Sequence, residues 1–172
     1  MLLWLTMLCL GTAHADVVDR VVAQVQQQLV LASDVTLEAA LSQRDPLQLP
    51  FWSDAHAPAL GRLIDAAVVR VASGDVGLYQ PSDAEVDARL EAIRGSFVDR
   101  TSWTEFQRIH GVDEAALRRV LRRRLVVERF LGRNLQSDPS DQRTWLSDCQ
   151  RLLAQLRGRV RVREIPPMEG RR

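Results

Sequence analysis

The sequence predicts a mainly α-helical domain of about six helices, closed by a small antiparallel sheet of its N- and C-terminal strands. Three observations carry this. A run rich in β-branched residues, Val17–Val25, stands near the start, and an alternating run, Arg159–Ile165, stands near the end. Between them, apolar residues recur at the 3.6-residue period of a helix. The helical stretches are bounded by Ser and Asp at their starts and by Gly at several ends, the chemistry that satisfies unpaired helix-terminal groups.

Each element follows in order. Val17–Val25 reads as a strand, Gln26-Gln27-Gln28 as a polar interruption, and Leu29-Val30-Leu31 as a resumed strand, giving a hairpin or a bent strand. Ser33 or Asp34 is expected to cap a short helix whose apolar side is Val35, Leu37, Ala40 and Leu41. Asp45–Pro58 holds Pro46, Pro50 and Pro58 and reads as irregular. From Leu60, the stripe Leu63, Ile64, Ala67, Val68 and Val71 marks a helix that ends at Gly74 and Gly77. Ser82 and Glu85 form a capping box that opens a helix with Val86, Leu90 and Ile93 inward. Ser102 and Glu105 read as a second box, opening a short helix that ends at His110-Gly111. Val112-Asp113 begins the longest helix, to about Asn134. Asp138 is expected to cap the last helix with Pro139 at its first position. Trp145, Cys149, Leu152, Leu153 and Leu156 line that helix and Gly158 ends it.

Met1–Ala15 carries no charged side chain, is apolar through Leu2, Leu3, Trp4, Leu5, Met7, Leu8 and Leu10, and ends in Ala13-His14-Ala15. A stretch this short does not hold a bilayer as an anchor, and the small-x-small ending is what signal peptidase accepts. We therefore expect a signal removed after Ala15, a periplasmic location, a domain over residues 16–165 and a disordered tail over 166–172. Removing the signal from 172 residues leaves 157, one domain's worth of chain. No later segment approaches a membrane span. The formal net charge is +1, which argues against nucleic acid as a partner. Every basic side chain is Arg, which we read as genome composition rather than chemistry. Beyond Cys9 in the signal, Cys149 is alone, so no disulfide within the mature chain is expected.

Val17-Val18-Asp19-Arg20-Val21-Val22-Ala23-Gln24-Val25, a polar turn, then Leu29-Val30-Leu31-Ala32-Ser33-Asp34-Val35 is similar to the opening of the SurA-type periplasmic chaperones. Leu63-Ile64-Asp65 resembles a Leu-Ile-Asp in that family's next helix, and Ser82–Asp87 resembles the start of the one after. Phe106–Leu131, with Gly111 before Leu117-Arg118 and Leu121-Arg122, resembles its helical pair. The likeness covers residues 17–135. Two departures stand out: Gln26-Gln27-Gln28 replaces the family's Asn and Gly, and Gln136–Arg172 is too short for the parvulin prolyl-isomerase domain that usually follows. The resemblance implies a helical module that holds unfolded segments of exported proteins, and it does not imply isomerase activity.

Candidate site residues each have a structural alternative. Arg118, Arg119, Arg122, Arg123, Arg129 and Arg133 crowd one side of the longest helix, either as a basic binding stripe or as a solvated face balanced by Asp83, Glu85, Asp87 and Glu91. Arg124 and Glu128 fall inside its apolar stripe, where they are expected to pair with each other or with neighbours, or to snorkel outward. Phe51, Trp52, Trp103 and Phe106 are candidates to grip apolar client segments, with core filling as the alternative. His110 at a helix end fits a capping or cationic role, and Cys149 fits a small core residue. No His, Cys, Asp and Glu grouping has metal-ligand spacing, and no phosphate loop or nucleophile elbow occurs, so no metal, cofactor or catalysis is expected.

The expected function is therefore ATP-independent binding of unfolded or partly folded secreted and outer-membrane proteins. A dedicated assembly subunit for one envelope protein is the alternative, and a degenerate prolyl isomerase a more distant one.

Overall fold

The computed structural model describes residues 19–166. The expected signal segment and residues 167–172 of the expected tail lie outside them. Strands β1 (Val21–Val25) and β2 (Gln28–Leu31) form an antiparallel hairpin, and β3 (Val162–Glu164) pairs antiparallel with the other edge of β1, giving the order β2-β1-β3. The chain's two ends thus meet in one sheet, with Ala23 opposite Glu164 and Val25 opposite Val162. Both terminal strands are shorter than the runs that announce them. A bulge after Val21 shifts the register with β2, and the Ile165 amide reaches the Val22 carbonyl at 2.9 Å. Gln26 makes the hairpin turn in the left-handed region, at φ 54°, and its amide donates to the Arg161 carbonyl at 2.9 Å.

Seven helices fill the interval: α1 (Ala32–Arg44), α2 (Pro50–Ser53), α3 (Ala59–Ser73), α4 (Asp83–Gly95), α5 (Arg100–His110), α6 (Glu114–Asn134) and α7 (Gln142–Arg157). The extra one is α2, a single turn inside the segment read as irregular. Pro50 starts it because a first-turn residue needs no N–H partner.

The caps differ from expectation at three places. Ser33 and Asp34 lie inside the first turn of α1. Asp34 accepts from the Leu31 amide at 3.0 Å, and Asp19, fourteen residues upstream, accepts from the Ser33 amide at 3.2 Å. At α5 the cap is Asp99, which accepts from the Ser102 amide at 2.7 Å, while Glu105 turns to Arg108 at 2.6 Å. A carboxylate three residues earlier outcompetes the serine. At α7, Asp138 instead holds the Ser140 amide in a turn, and Asp141 caps the helix through Thr144. At α4 Ser82 and Glu85 do make the reciprocal box, the Ser82 amide reaching Glu85 Oε2 at 2.8 Å.

Three apolar clusters hold the elements together. Val22, Ala23, Val25 and Val30 of the sheet lie on Ile64, Ala67 and Val68 of α3. Leu37 and Leu41 of α1 pack with Val86, Leu90 and Ile93 of α4 and with Trp103 and Phe106 of α5. The third joins Phe51 and Trp52 of α2 to Val69, Val127, Leu131, Trp145 and Cys149. Helix α6, 21 residues and about 31 Å long, serves two of these: Leu117 and Leu121 enter the α1/α4/α5 cluster, Val127 and Leu131 the α2/α3/α7 cluster. Arg124 and Glu128 stand where one cluster gives way to the other.

Candidate functional site

Six buried charged side chains form one continuous chain across that joint. Arg62 Nε lies 3.3 Å from Glu38 Oε1, and Glu38 Oε2 lies 2.5 Å from Arg124 Nη1. Arg124 Nη2 is 3.7 Å from Asp45 Oδ2, which is 2.8 Å from Arg89 Nη1. Arg89 Nη2 closes on Glu128 Oε2 at 2.7 Å. Guanidiniums and carboxylates alternate and balance, which is the condition for burying such charges at tolerable cost. Arg124 Nη2 also donates to Gln48 Oε1 at 2.9 Å, and its guanidinium lies 4.1 Å from the centre of the Trp52 ring. Arg124 and Glu128 do not pair with each other, contrary to the first of the expected arrangements. Arg124 turns toward α1 and the 45–48 segment, Glu128 toward α4.

Burial pushes the Glu38 and Glu128 carboxyls up, against the pull of their arginines. Burial also works to lower Arg89, but the hydrogen bonds and charges of Glu128 and Asp45 together raise it. Each of these groups is engaged by another, so the six side chains form an ionic frame across the joint.

Beside the frame, between β2, α1, α3 and α6, lies a pocket of about 60 Å³. Trp52 and Glu38, 1% and 3% exposed, form its deep wall. Leu63 and Val120 form its sides, and Leu29, 54% exposed, stands at its mouth. The row Leu63, Ala66, Arg70 on α3 and the group Val120, Arg123, Arg124 on α6 face it because residues three, four and seven apart share a helix face. Arg70 forms no ion pair among the described residues, and its Nε is buried without a hydrogen-bond partner. Burial, with repulsion from Arg123, brings Arg70 down to about 10, against a smaller pull from Asp34.

The expected aromatic grip is not there. Phe51, Trp52, Trp103 and Phe106 are all buried, and each ring packs on another: Phe51 on Trp52 at 4.7 Å, Trp103 on Phe106 at 5.8 Å. Proline-rich sequence around Phe51-Trp52 hid a helical turn that drives both rings inward. The arginine stripe of α6 is divided. Arg118, Arg122 and Arg129 pair with Asp87, Asp83 and Glu85 of α4, whereas Arg123 forms no ion pair among the described residues. Glu38, Asp45, Arg62, Arg89 and Arg70 were missed by the sequence reading. The signal for Arg89 was its place three residues after Val86 and four before Ile93, inside an apolar stripe.

Burial, aided by Asp65 and Asp54, pushes the Cys149 thiol up to about 12, so it stays protonated and inert. Burial lowers His110, whose ring lies 4.7 Å from Phe106. Among the described residues, no three His, Cys, Asp or Glu side chains gather to hold a metal ion, and no helix is long and apolar enough to cross a membrane. No protein-family model matches this chain, and no curated protein matches it by sequence.

Proposed function

We propose that this chain is an ATP-independent, chaperone-like domain of the cell envelope that holds unfolded or partly folded exported polypeptides. The observation that carries the reading is the pocket beside the charged frame: apolar on its sides, with an exposed leucine at its mouth and arginines at its edge. Polypeptide side chains enter a small apolar recess one at a time, and such contacts are weak singly and strong in number. That suits a holder whose client must leave in order to fold. The apolar segment Met1–Ala15 supports an exported location, and the resemblance to SurA-type chaperones supports the class of client. The binding surface in this reading is Leu29, Leu63 and Val120, because the four aromatic side chains singled out by the sequence are in the core.

The test dilutes an unfolded outer-membrane β-barrel protein out of urea and follows light scattering while the purified protein is titrated in. Dose-dependent suppression near stoichiometric ratios is expected. No suppression by a protein with an intact helical spectrum would overturn the reading and leave a dedicated envelope partner as the alternative, sought as one stoichiometric product in cross-linked periplasmic extract.

A further inference from the structure

We infer that the pocket between β2, α1, α3 and α6 recognises a polypeptide's C-terminal carboxylate together with an apolar last side chain. This rests on the polypeptide-holding reading and narrows it to one feature of the client.

The argument starts from charge. Three arginines line the pocket: Arg70, Arg123 and Arg124. Arg124 Nη1 and Nη2 are taken by Glu38 and Gln48, while its Nε is buried without a hydrogen-bond partner. Arg70 and Arg123 form no ion pair among the described residues, and they repel each other; Arg70 Nε is buried without a hydrogen-bond partner, whereas Arg123 is exposed. Of the pocket's two carboxylates, Glu38 is held between Arg124 and Arg62, and Asp34 accepts from the Leu31 amide at 3.0 Å. Arg70 and Arg123 therefore face one recess, with Asp34 the one lining carboxylate that no arginine pairs with. Guanidiniums present paired N–H donors that match the two oxygens of a carboxylate. An anion seated there would attract both guanidiniums, offsetting their mutual repulsion and the burial that lowers Arg70.

Size and lining select what carries the anion. About 60 Å³ holds roughly four to six water-sized groups, enough for one aliphatic side chain and too little for a long acyl chain. The walls next to the arginines are Leu63, Ala66 and Val120, with Leu29 at the mouth. A carboxylate attached directly to a carbon bearing one aliphatic side chain is the C-terminus of a polypeptide ending in Leu or Val. An internal Asp or Glu offers the anion without the adjacent apolar group.

Labelled hexapeptides ending in Leu test this by fluorescence anisotropy with the purified protein, comparing the free C-terminal carboxylate with the amide. The acid is expected to bind at least ten times more tightly. Arg123→Gln, on an exposed side chain, and Arg70→Gln should each bring that ratio to within twofold, and Arg108→Gln on the far helix α5 should leave it unchanged. An internal-Asp peptide with an amidated end should bind like the amide. Equal binding of acid and amide, or a ratio that survives Arg123→Gln, would overturn the inference. If scattering is still suppressed in that case, the polypeptide-holding reading stands without it. If suppression also fails, both fall.

Discussion

Arg89 of α4 grips Glu128 of α6 at two points, Nη1 to Oε1 at 3.1 Å and Nη2 to Oε2 at 2.7 Å, across 39 positions of sequence. Each side chain is about nine-tenths buried. Removing Glu128 leaves the buried Arg89 with Asp45 as its remaining carboxylate among the described residues and its Nη2 without that partner. Glu128→Ala is expected to lose about 3–5 kcal/mol of stability in urea unfolding. Replacing Arg89 and Glu128 together by Leu should cost less than the sum of the single changes, because the bidentate pair leaves as a unit and Asp45 keeps Arg124 at 3.7 Å.

Trp52 is a wall of the α2/α3/α7 cluster and not a free gripping ring. Trp52→Ala should therefore destabilise the fold by about 3–5 kcal/mol, as truncation of a buried aromatic does. Leu29→Asp, at an exposed position, should leave the urea midpoint nearly unchanged while weakening suppression of client aggregation. The pair of measurements separates core from surface.

Gln26 turns the hairpin at φ 54°, where a side chain clashes with its own backbone. Gln26→Gly should raise stability by about 0.5–1 kcal/mol, the relief of strain exceeding the added freedom of the unfolded chain. Gln26→Val should lower it. Thermal melts of the two variants check both signs.

Hydrogen bonds from Ser82, with help from Arg129, bring the Glu85 carboxyl down to about 2 from its ordinary 4.5. A depressed carboxyl stabilises the fold above its unfolded pKa and loses that contribution as pH falls through the folded one. The stability gap between the protein and Glu85→Gln should be full above about pH 4.5 and close as pH approaches 2. Urea melts across pH 2–6 would show it, and a gap independent of pH would refute it.

Cys149, 1% exposed and with its thiol pushed up to about 12, should resist a thiol reagent in the folded protein and react on unfolding in urea. Rapid labelling at neutral pH without denaturant would contradict its place in the core.

Helices with a recurring apolar period, α3, α4 and α6, were legible in the sequence because periodicity reports which face is buried, and the two terminal strands were legible from their β-branched and alternating runs. Caps were legible only where one candidate stood alone. Ser82 and Glu85 had no rival, whereas Ser102 faced Asp99 and Asp138 faced Asp141, and the choice between such neighbours depends on where the preceding loop brings its backbone. The ionic frame was visible as Arg124 and Glu128 inside an apolar stripe. Their partners were not, since Glu38 lies 86 positions from Arg124 and only the packing of α1 on α6 brings them together. The pocket escaped notice for the same reason. Leu29, Arg70 and Arg123 are ordinary residues of three separate elements until the fold sets them around one recess.

The most direct measurement is methyl NMR of the purified protein, labelled at Leu, Ile and Val, with an unfolded β-barrel client added. The account predicts shifts concentrated at Leu29, Leu63 and Val120, with Leu47, Val76, Leu78, Val98 and Ile109, the large exposed apolar side chains elsewhere among the described residues, unmoved. Shifts centred on Leu47, Val76, Leu78, Val98 or Ile109 with Leu29 and Val120 silent would contradict it.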